Sequence, residues 1–146
     1  LQDSIVQPAE YELDVKCERV TRRDGHQVFV EATFIQPLSL EKVMDAFNSF
    51  QFSETTSTCP SAPIRPLHIV EQIDVNHHLW SDGETFSNHP QPSKNLQTGM
   101  AVVIGDVKLV DEYTLRFSAY SHNTIRGAAG GTLLLAEQAV VEGRIR

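Results

Sequence analysis

Cysteine is scarce in this chain of 146 residues, where only Cys17 and Cys59 occur. Two thiols cannot staple a domain of this size, so a disulfide scaffold is excluded and both are expected to be reduced, as in a cytoplasmic protein. Long apolar runs are missing too, and no stretch approaches the ~20 residues a helix needs to cross a bilayer. Positive charge is sparse: 12 Lys and Arg stand against 19 Asp and Glu, a net charge of -7, and the longest basic cluster is Arg22-Arg23. That balance excludes a surface for tracking nucleic-acid phosphates or for holding an anionic membrane. No signal-peptide pattern opens the chain, and no methionine precedes Leu1, so further sequence upstream is expected. Repeats and low-complexity tracts are also lacking. What remains is an ordinary globular composition, 40% hydrophobic and 21% charged, sufficient for a single domain over residues 1–146 with a proper core.

Along the chain, residues 1–10 lack periodicity and read as an arm. From Glu12 the positions Leu13, Val15, Cys17 and Arg19 alternate with Asp14, Lys16 and Glu18, the pattern of a half-buried strand. Asp24-Gly25 signals a turn into a second strand through Val28, Val30, Ala32 and Phe34, which Pro37 ends. Ser39 reads as the cap of a helix carrying Leu40, Val43, Met44, Phe47 and Phe50 on one stripe. Residues 53–66, rich in Ser, Thr and Pro, read as loop, and Leu67 to Ile73 as a short strand. Residues 74–98 form a long polar segment, a length that usually marks a functional or partner-binding loop. Met100 to Val110 and Tyr113 to Tyr120 make a hairpin joined at Asp111-Glu112. The last helix is expected from about Thr124 to Val141. Its run Arg126-Gly127-Ala128-Ala129-Gly130-Gly131 is unusually small, and glycines there cost a helix roughly 1 kcal/mol each relative to alanine. Close approach of another backbone or a ligand is the expected reason. Strands, a helix, more strands and a final helix define an α+β domain with a mostly antiparallel or mixed sheet.

These blocks carry a family likeness. Cys17-Glu18-Arg19-Val20 followed by Gly25-His26 resembles the substrate-binding strand of aspartate-semialdehyde dehydrogenases, in which an arginine and a histidine reach the active site; here they fall on Arg19 and His26. Pro60-Ser61-Ala62-Pro63, Pro90-Gln91-Pro92 and Thr98-Gly99-Met100-Ala101-Val102 resemble later blocks of the fungal and archaeal branch. Ser121-His122-Asn123-Thr124-Ile125-Arg126-Gly127-Ala128-Ala129-Gly130 with Ala136-Glu137 is the most specific match. The resemblance implies the C-terminal domain of the family, with helices packed on one face of the sheet as in semialdehyde and glyceraldehyde-phosphate dehydrogenases. It also implies a sheet-mediated homodimer and a site where the Asn123 region faces the cofactor.

In the family a separate nucleotide-binding domain supplies the phosphate-binding glycine loop and the nucleophilic cysteine. No G-x-G-x-x-G occurs in these residues, and neither Cys17 nor Cys59 matches the nucleophile. The family's substrate-holding glutamate and lysine also precede the arginine, beyond Leu1. No cofactor is therefore expected for this chain alone, and NADP only with a nucleotide-binding half supplied separately. Gly105-Asp106 stands where the family has a glycine-arginine pair, and the stretch from His77 to Asn88 looks inserted.

Arg19 and His26 are the expected catalytic pair: the guanidinium fork suits a substrate carboxylate or enolate, and the imidazole exchanges a proton near neutral pH. The competing reading is an ion-paired arginine and a histidine that closes a turn. Asn123 and Arg126, at the start of the last helix, are candidate substrate-binding groups, with a surface ion pair as the alternative for Arg126. His77, His78 and His89 lack the spacing of a metal site and read as a solvated loop, and His68 as a satisfied strand residue. An apolar face of Ile125, Ala129, Leu133 and Ala136 is expected to be exposed and to mark a dimer or partner surface. Three functions compete: a homologue repurposed for non-redox acid–base chemistry (cyclisation, isomerisation or elimination) on a small carbonyl or carboxylate compound, part of a complete NADP-dependent dehydrogenase, and a non-catalytic dimerisation module. The departures at Asp106 and in the inserted loop favour the first.

Overall fold

A computed structural model describes residues 12–145; the arm expected over residues 1–10 lies outside the described residues. Strands β1 (His26–Thr33), β2 (Leu67–Ile69), β3 (Val102–Leu109) and β4 (Thr114–Ser121) form one four-stranded sheet in the order β1-β4-β3-β2. The β1–β4 and β3–β4 pairings are antiparallel and β2–β3 is parallel, so the sheet is mixed and the α+β class holds.

The β3–β4 hairpin closes where Asp111 and Glu112 predict it, with the Tyr113 N–H donating to Asp111 Oδ1 at 2.8 Å. Its register slips between Gly105 and Lys108, and Asp106 there takes a left-handed φ of 57°. The bulge also receives segment 70–73. A Cβ on Gly105 would lie 2.9 Å from Ile73 Cγ1, and the Asp106 N–H donates to the Glu71 carbonyl at 2.9 Å.

Helix α1 (Leu40–Ser49) begins after Ser39, which marks the boundary by its extended backbone but makes no side-chain cap. Its Phe47 meets Phe117 of β4 edge-on, with ring centroids 5.4 Å apart. The region expected to be all loop contains a single helical turn, α2 (Glu54–Ser57), because Ser53 accepts the Thr56 N–H and so caps a turn that propensity alone would not hold.

The last helix departs from a plain α-helix. Ile125–Ala129 is π-helical and α3 (Gly130–Val141) continues from it. The wide turn explains two of the glycines: a Cβ on Gly130 would stand 2.7 Å from the Ile125 carbonyl oxygen, and one on Gly131 2.6 Å from that of Arg126. The backbone that approaches is the helix's own. Gly130 also receives Met100 Sδ.

α3 docks onto a small core of Cys59, Ala62, Met100 and Leu134, with Leu96 and Ile125 packed around it. Contrary to expectation, Ile125 turns inward to this core, whereas Ala129, Leu133 and Ala136 are exposed as foreseen. The blocks around Ser61 and Glu137 meet here: Ser61 donates its N–H to Glu137 Oε2 at 2.9 Å and its hydroxyl to Oε1 at 2.8 Å.

Candidate functional site

His26 opens β1 at the edge of the sheet and is exposed. The turn before it is held from two sides. Gly25 adopts φ +102°, and a Cβ there would fall 2.3 Å from the Tyr120 hydroxyl, so the turn lies directly on that buried ring and only glycine fits. From the other side the Gly25 N–H donates to Asn123 Oδ1 at 2.8 Å. His26 pairs in register with Ser121, so the strand bearing the imidazole and the turn bearing Asn123 form one corner.

The corner continues into the π-turn that carries Arg126, a half-buried residue. His122 underlies the junction. It is 4% exposed, and its Nδ1 accepts the backbone N–H groups of Thr124 at 3.2 Å and Ile125 at 3.4 Å. An accepting Nδ1 is unprotonated, so the ring proton resides on Nε2. Burial holds the His122 pKa below the ordinary histidine value, in keeping with a neutral ring. Trp80 meets this imidazole edge-on at 4.3 Å and covers Gly99, whose added Cβ would lie 3.0 Å from the indole.

Among the described residues no hydrogen bond or ion pair ties Arg19 to this corner. Residues 12–20 form no strand, Arg19 is exposed, and it makes no hydrogen bond or ion pair among the described residues. An alternating pattern becomes a strand only beside a sheet edge that supplies hydrogen bonds and a surface that takes the apolar residues. Here Leu13, Val15 and Val20 all face solvent. The structure therefore brings together His26, Asn123 and the turn of Arg126, and leaves Arg19 exposed on a segment outside the sheet.

The 74–98 segment is built rather than loose. The Tyr120 hydroxyl donates to the Val75 carbonyl at 3.1 Å. His68 and His78 both stack on Phe86, at 4.0 and 4.5 Å, and His68 Nδ1 shares a hydrogen bond of 2.7 Å with the fully buried Ser81. His78 is thus a packed residue and not the solvated one expected, whereas His77 and His89 are exposed. Among the described residues no three His, Cys, Asp or Glu side chains gather as a metal ion would need. Cys59 is buried, and desolvation followed by the nearby Glu137 charge pushes its thiol pKa up, the reverse of what a nucleophile requires. Two surface hollows of about 310 and 330 Å³ are lined by other residues, around Arg65 and His68 and around Phe34 and Phe47.

Tyr120, His122 and Trp80 escaped prediction as supports of the site. The one signal in the sequence was the position of His122 directly before a helix, where a side-chain acceptor can satisfy free backbone amides.

No family model matches the chain. It is 34% identical over 136 residues to the NADP malonyl-CoA reductase of Metallosphaera sedula, covering 93% of this chain and 35% of that protein. It is likewise 34% identical over 136 residues to the aspartate-semialdehyde dehydrogenase of Aspergillus fumigatus, with 88% and 34% covered, and 30% identical over 138 residues to that of Trichophyton rubrum. The crystal structure of the Candida albicans aspartate-semialdehyde dehydrogenase with NADP superposes with a TM-score of 0.57 at 24% identity, over 84% of this chain and 31% of that one. The chain spans about a third of the length of the curated relatives it matches. Among the described residues no helix is long and apolar enough to cross a membrane. Over the stretch it shares with them, the chain belongs to the aspartate-semialdehyde dehydrogenase family and has the fold of that family's C-terminal domain.

Proposed function

We propose that this domain supplies the substrate-side acid–base and binding groups of an NADP-dependent dehydrogenase acting on a small semialdehyde or acyl compound, completed by a nucleotide-binding part outside these residues. The carrying observation is the 2.8 Å bond from the Gly25 N–H to Asn123 Oδ1, which fixes His26 beside the turn leading into the glycine-rich helix. His26 takes and returns a proton at the substrate oxygen or attacking group. Arg19 binds the substrate carboxylate once residues 12–20 are drawn onto the open edge of β1. Asn123 and Arg126 line the opposite side.

NADP, when bound, supplies the hydride acceptor or donor. The described residues carry no G-x-G-x-x-G pattern. On this chain's side the groups offered to NADP are the exposed Asn123 and the open side of Gly127, where an added Cβ would meet nothing nearer than the His122 carbonyl at 3.9 Å. The nucleophilic thiol must likewise come from the completing part.

A second copy is the proposed partner. α3 is apolar around most of its circumference yet buries only Gly130 and Leu134, leaving Leu133, Val140 and Val141 open and Leu135 69% exposed. Two unpaired thiols fit a cytoplasmic setting.

The repurposed, non-redox reading rests on Asp106. An acid, held at a left-handed bulge, occupies the position where the resemblance expects an arginine. A chimera separates the two readings: this chain replaces the matching third of the Aspergillus fumigatus enzyme, and NADPH formation from aspartate semialdehyde and phosphate is followed. Turnover by the chimera, silence of the chain alone and a loss of about 100-fold or more in His26→Asn are expected. An inert chimera, with semialdehyde consumed by the chain alone without NADP, would overturn the dehydrogenase reading in favour of the other.

A further inference from the structure

His122 touches neither hollow and is nearly inaccessible, so it cannot meet a substrate. Its contacts nevertheless converge on the corner that carries His26. Nδ1 holds the amides of Thr124 and Ile125, which fixes the chain direction immediately after Asn123. Asn123 in turn is the residue whose Oδ1 grips the Gly25 N–H, one position before His26. Beneath the same turn lies Tyr120, and the 74–98 segment braces both supports, through the Val75 carbonyl on the Tyr120 hydroxyl and through Trp80 on His122.

An imidazole held at Nδ1 by two backbone amides and covered by Trp80 has a defined orientation. With Nδ1 taken up by two backbone amides, ring rotation or a proton on Nδ1 would break both bonds and free the turn. An ordinary buried filler would not need an acceptor at that one atom.

We propose that His122 is a positioning residue: accepting at Nδ1 with its proton on Nε2, it fixes the Asn123–Gly25 hydrogen bond and thereby the placement of His26, and the 74–98 segment buttresses it through Trp80. The consequence for catalysis rests on the roles given above to His26 and Asn123, whereas the positioning itself does not.

Nitrogen-15 spectroscopy of the wild-type chain gives the first test. A pyridine-type shift at His122 Nδ1 and a pyrrole-type shift at Nε2 are expected, and the reverse assignment overturns the proposal. The second compares His122→Asn, whose Oδ1 can stand where Nδ1 stands, with His122→Gln, whose carbonyl reaches toward the Nε2 position instead. Hydrogen exchange of the Gly25 amide should stay within about 3-fold of wild type in H122N and quicken by about 10-fold or more in H122Q, while the amides of Val103 and Ala119 change in neither. Equal quickening everywhere, or no difference between the two substitutions, refutes a positioning role. In the completed enzyme H122Q should lower kcat with little change in KM, and H122N should restore it. Because the spectroscopic and exchange measurements need no turnover, an inert chimera with the expected exchange pattern would sink only the dehydrogenase reading.

Discussion

Removing the Glu137 carboxylate tests how the last helix is held. Ser61 is 3% exposed and sends two donors to this one side chain, its amide to Oε2 at 2.9 Å and its hydroxyl to Oε1 at 2.8 Å. In Glu137→Ala both lose their acceptor. A buried unsatisfied donor costs about 1–3 kcal/mol. The amide cannot turn elsewhere, whereas the hydroxyl can rotate and recover part of its loss. Because Glu137 is only half-buried, some water reaches the gap. Together these considerations place the cost at about 2–4 kcal/mol, equivalent to a fall in Tm of roughly 5–15 °C for a chain of this size. Trp80 is the only tryptophan, so urea unfolding followed by its emission reports the change directly. Glu137→Gln keeps one acceptor oxygen and should lose about half as much. A double-mutant cycle with Ser61→Ala should return a coupling of about 1–3 kcal/mol for the hydroxyl–carboxylate contact. A loss below about 0.5 kcal/mol in Glu137→Ala would show that α3 is docked by its apolar contacts alone and that the pairing of these two blocks is incidental.

Burial lowers the pKa of both His68 and His122 from the ordinary value of 6.5. Well above 6.5, beyond about pH 7.5, both rings are neutral in either state and stability is full. As pH falls through it the unfolded chain takes up protons first, so the urea midpoint should drop between about pH 7.5 and pH 5, with a smaller drop in His122→Asn. Cys17 is exposed and Cys59 is buried beneath α3, so a thiol reagent should titrate one cysteine at once and the second about 100-fold more slowly, or only on unfolding. Equal rates would mean that the α2–α3 contact opens readily. The glycines of the last helix should separate by thermal melting: Gly131→Ala meets the Arg126 carbonyl at 2.6 Å and should destabilise by about 1–3 kcal/mol, whereas Gly127→Ala has open space and should be neutral or gain about 0.5–1 kcal/mol.

Elements that complete themselves locally were legible in the sequence. The β3–β4 hairpin needs only its own turn and two alternating runs, and α1 needs only an apolar stripe set against a neighbouring sheet. β1 and the turn at Gly25 followed from the Asp-Gly signal. What could not be read is what depends on partners distant in the chain. Nothing in the spacing of His122 announces Trp80, and nothing in the polar composition of residues 74–98 announces that Val75 and Trp80 reach into the supports of the corner. The π-turn was hidden for a related reason. Small residues were visible at Gly130 and Gly131, but a glycine makes the same allowance for a ligand, a neighbouring chain or its own helix's carbonyl, and only coordinates tell these apart. The candidate site depends on such distant partners too: His26, Asn123 and Arg126 come together through the long-range antiparallel register of β1 and β4 and one turn, whereas Arg19 lies on residues that form no strand.

The exposure of Arg19 shares a cause with the other surfaces the fold leaves open. Residues 12–20 have the alternation of a strand but pair with no strand, and Leu13 and Val15 stay exposed. The edge strand that would be their natural neighbour, β1, meanwhile leaves Phe29 75% exposed. Ile35, just beyond β1, is 98% exposed, and α3 is apolar on flanks that nothing covers. A solitary aromatic or aliphatic residue on a surface needs no explanation. An unformed strand, an uncovered edge and an all-round apolar helix in one small domain are harder to reconcile with a finished surface, because each wastes burial that marginal stability can ill spare. Each is accounted for if the domain is one part of a larger assembly, in which further chain or a second copy completes the edge of β1, covers α3 and carries Arg19 to the corner where His26 is already held.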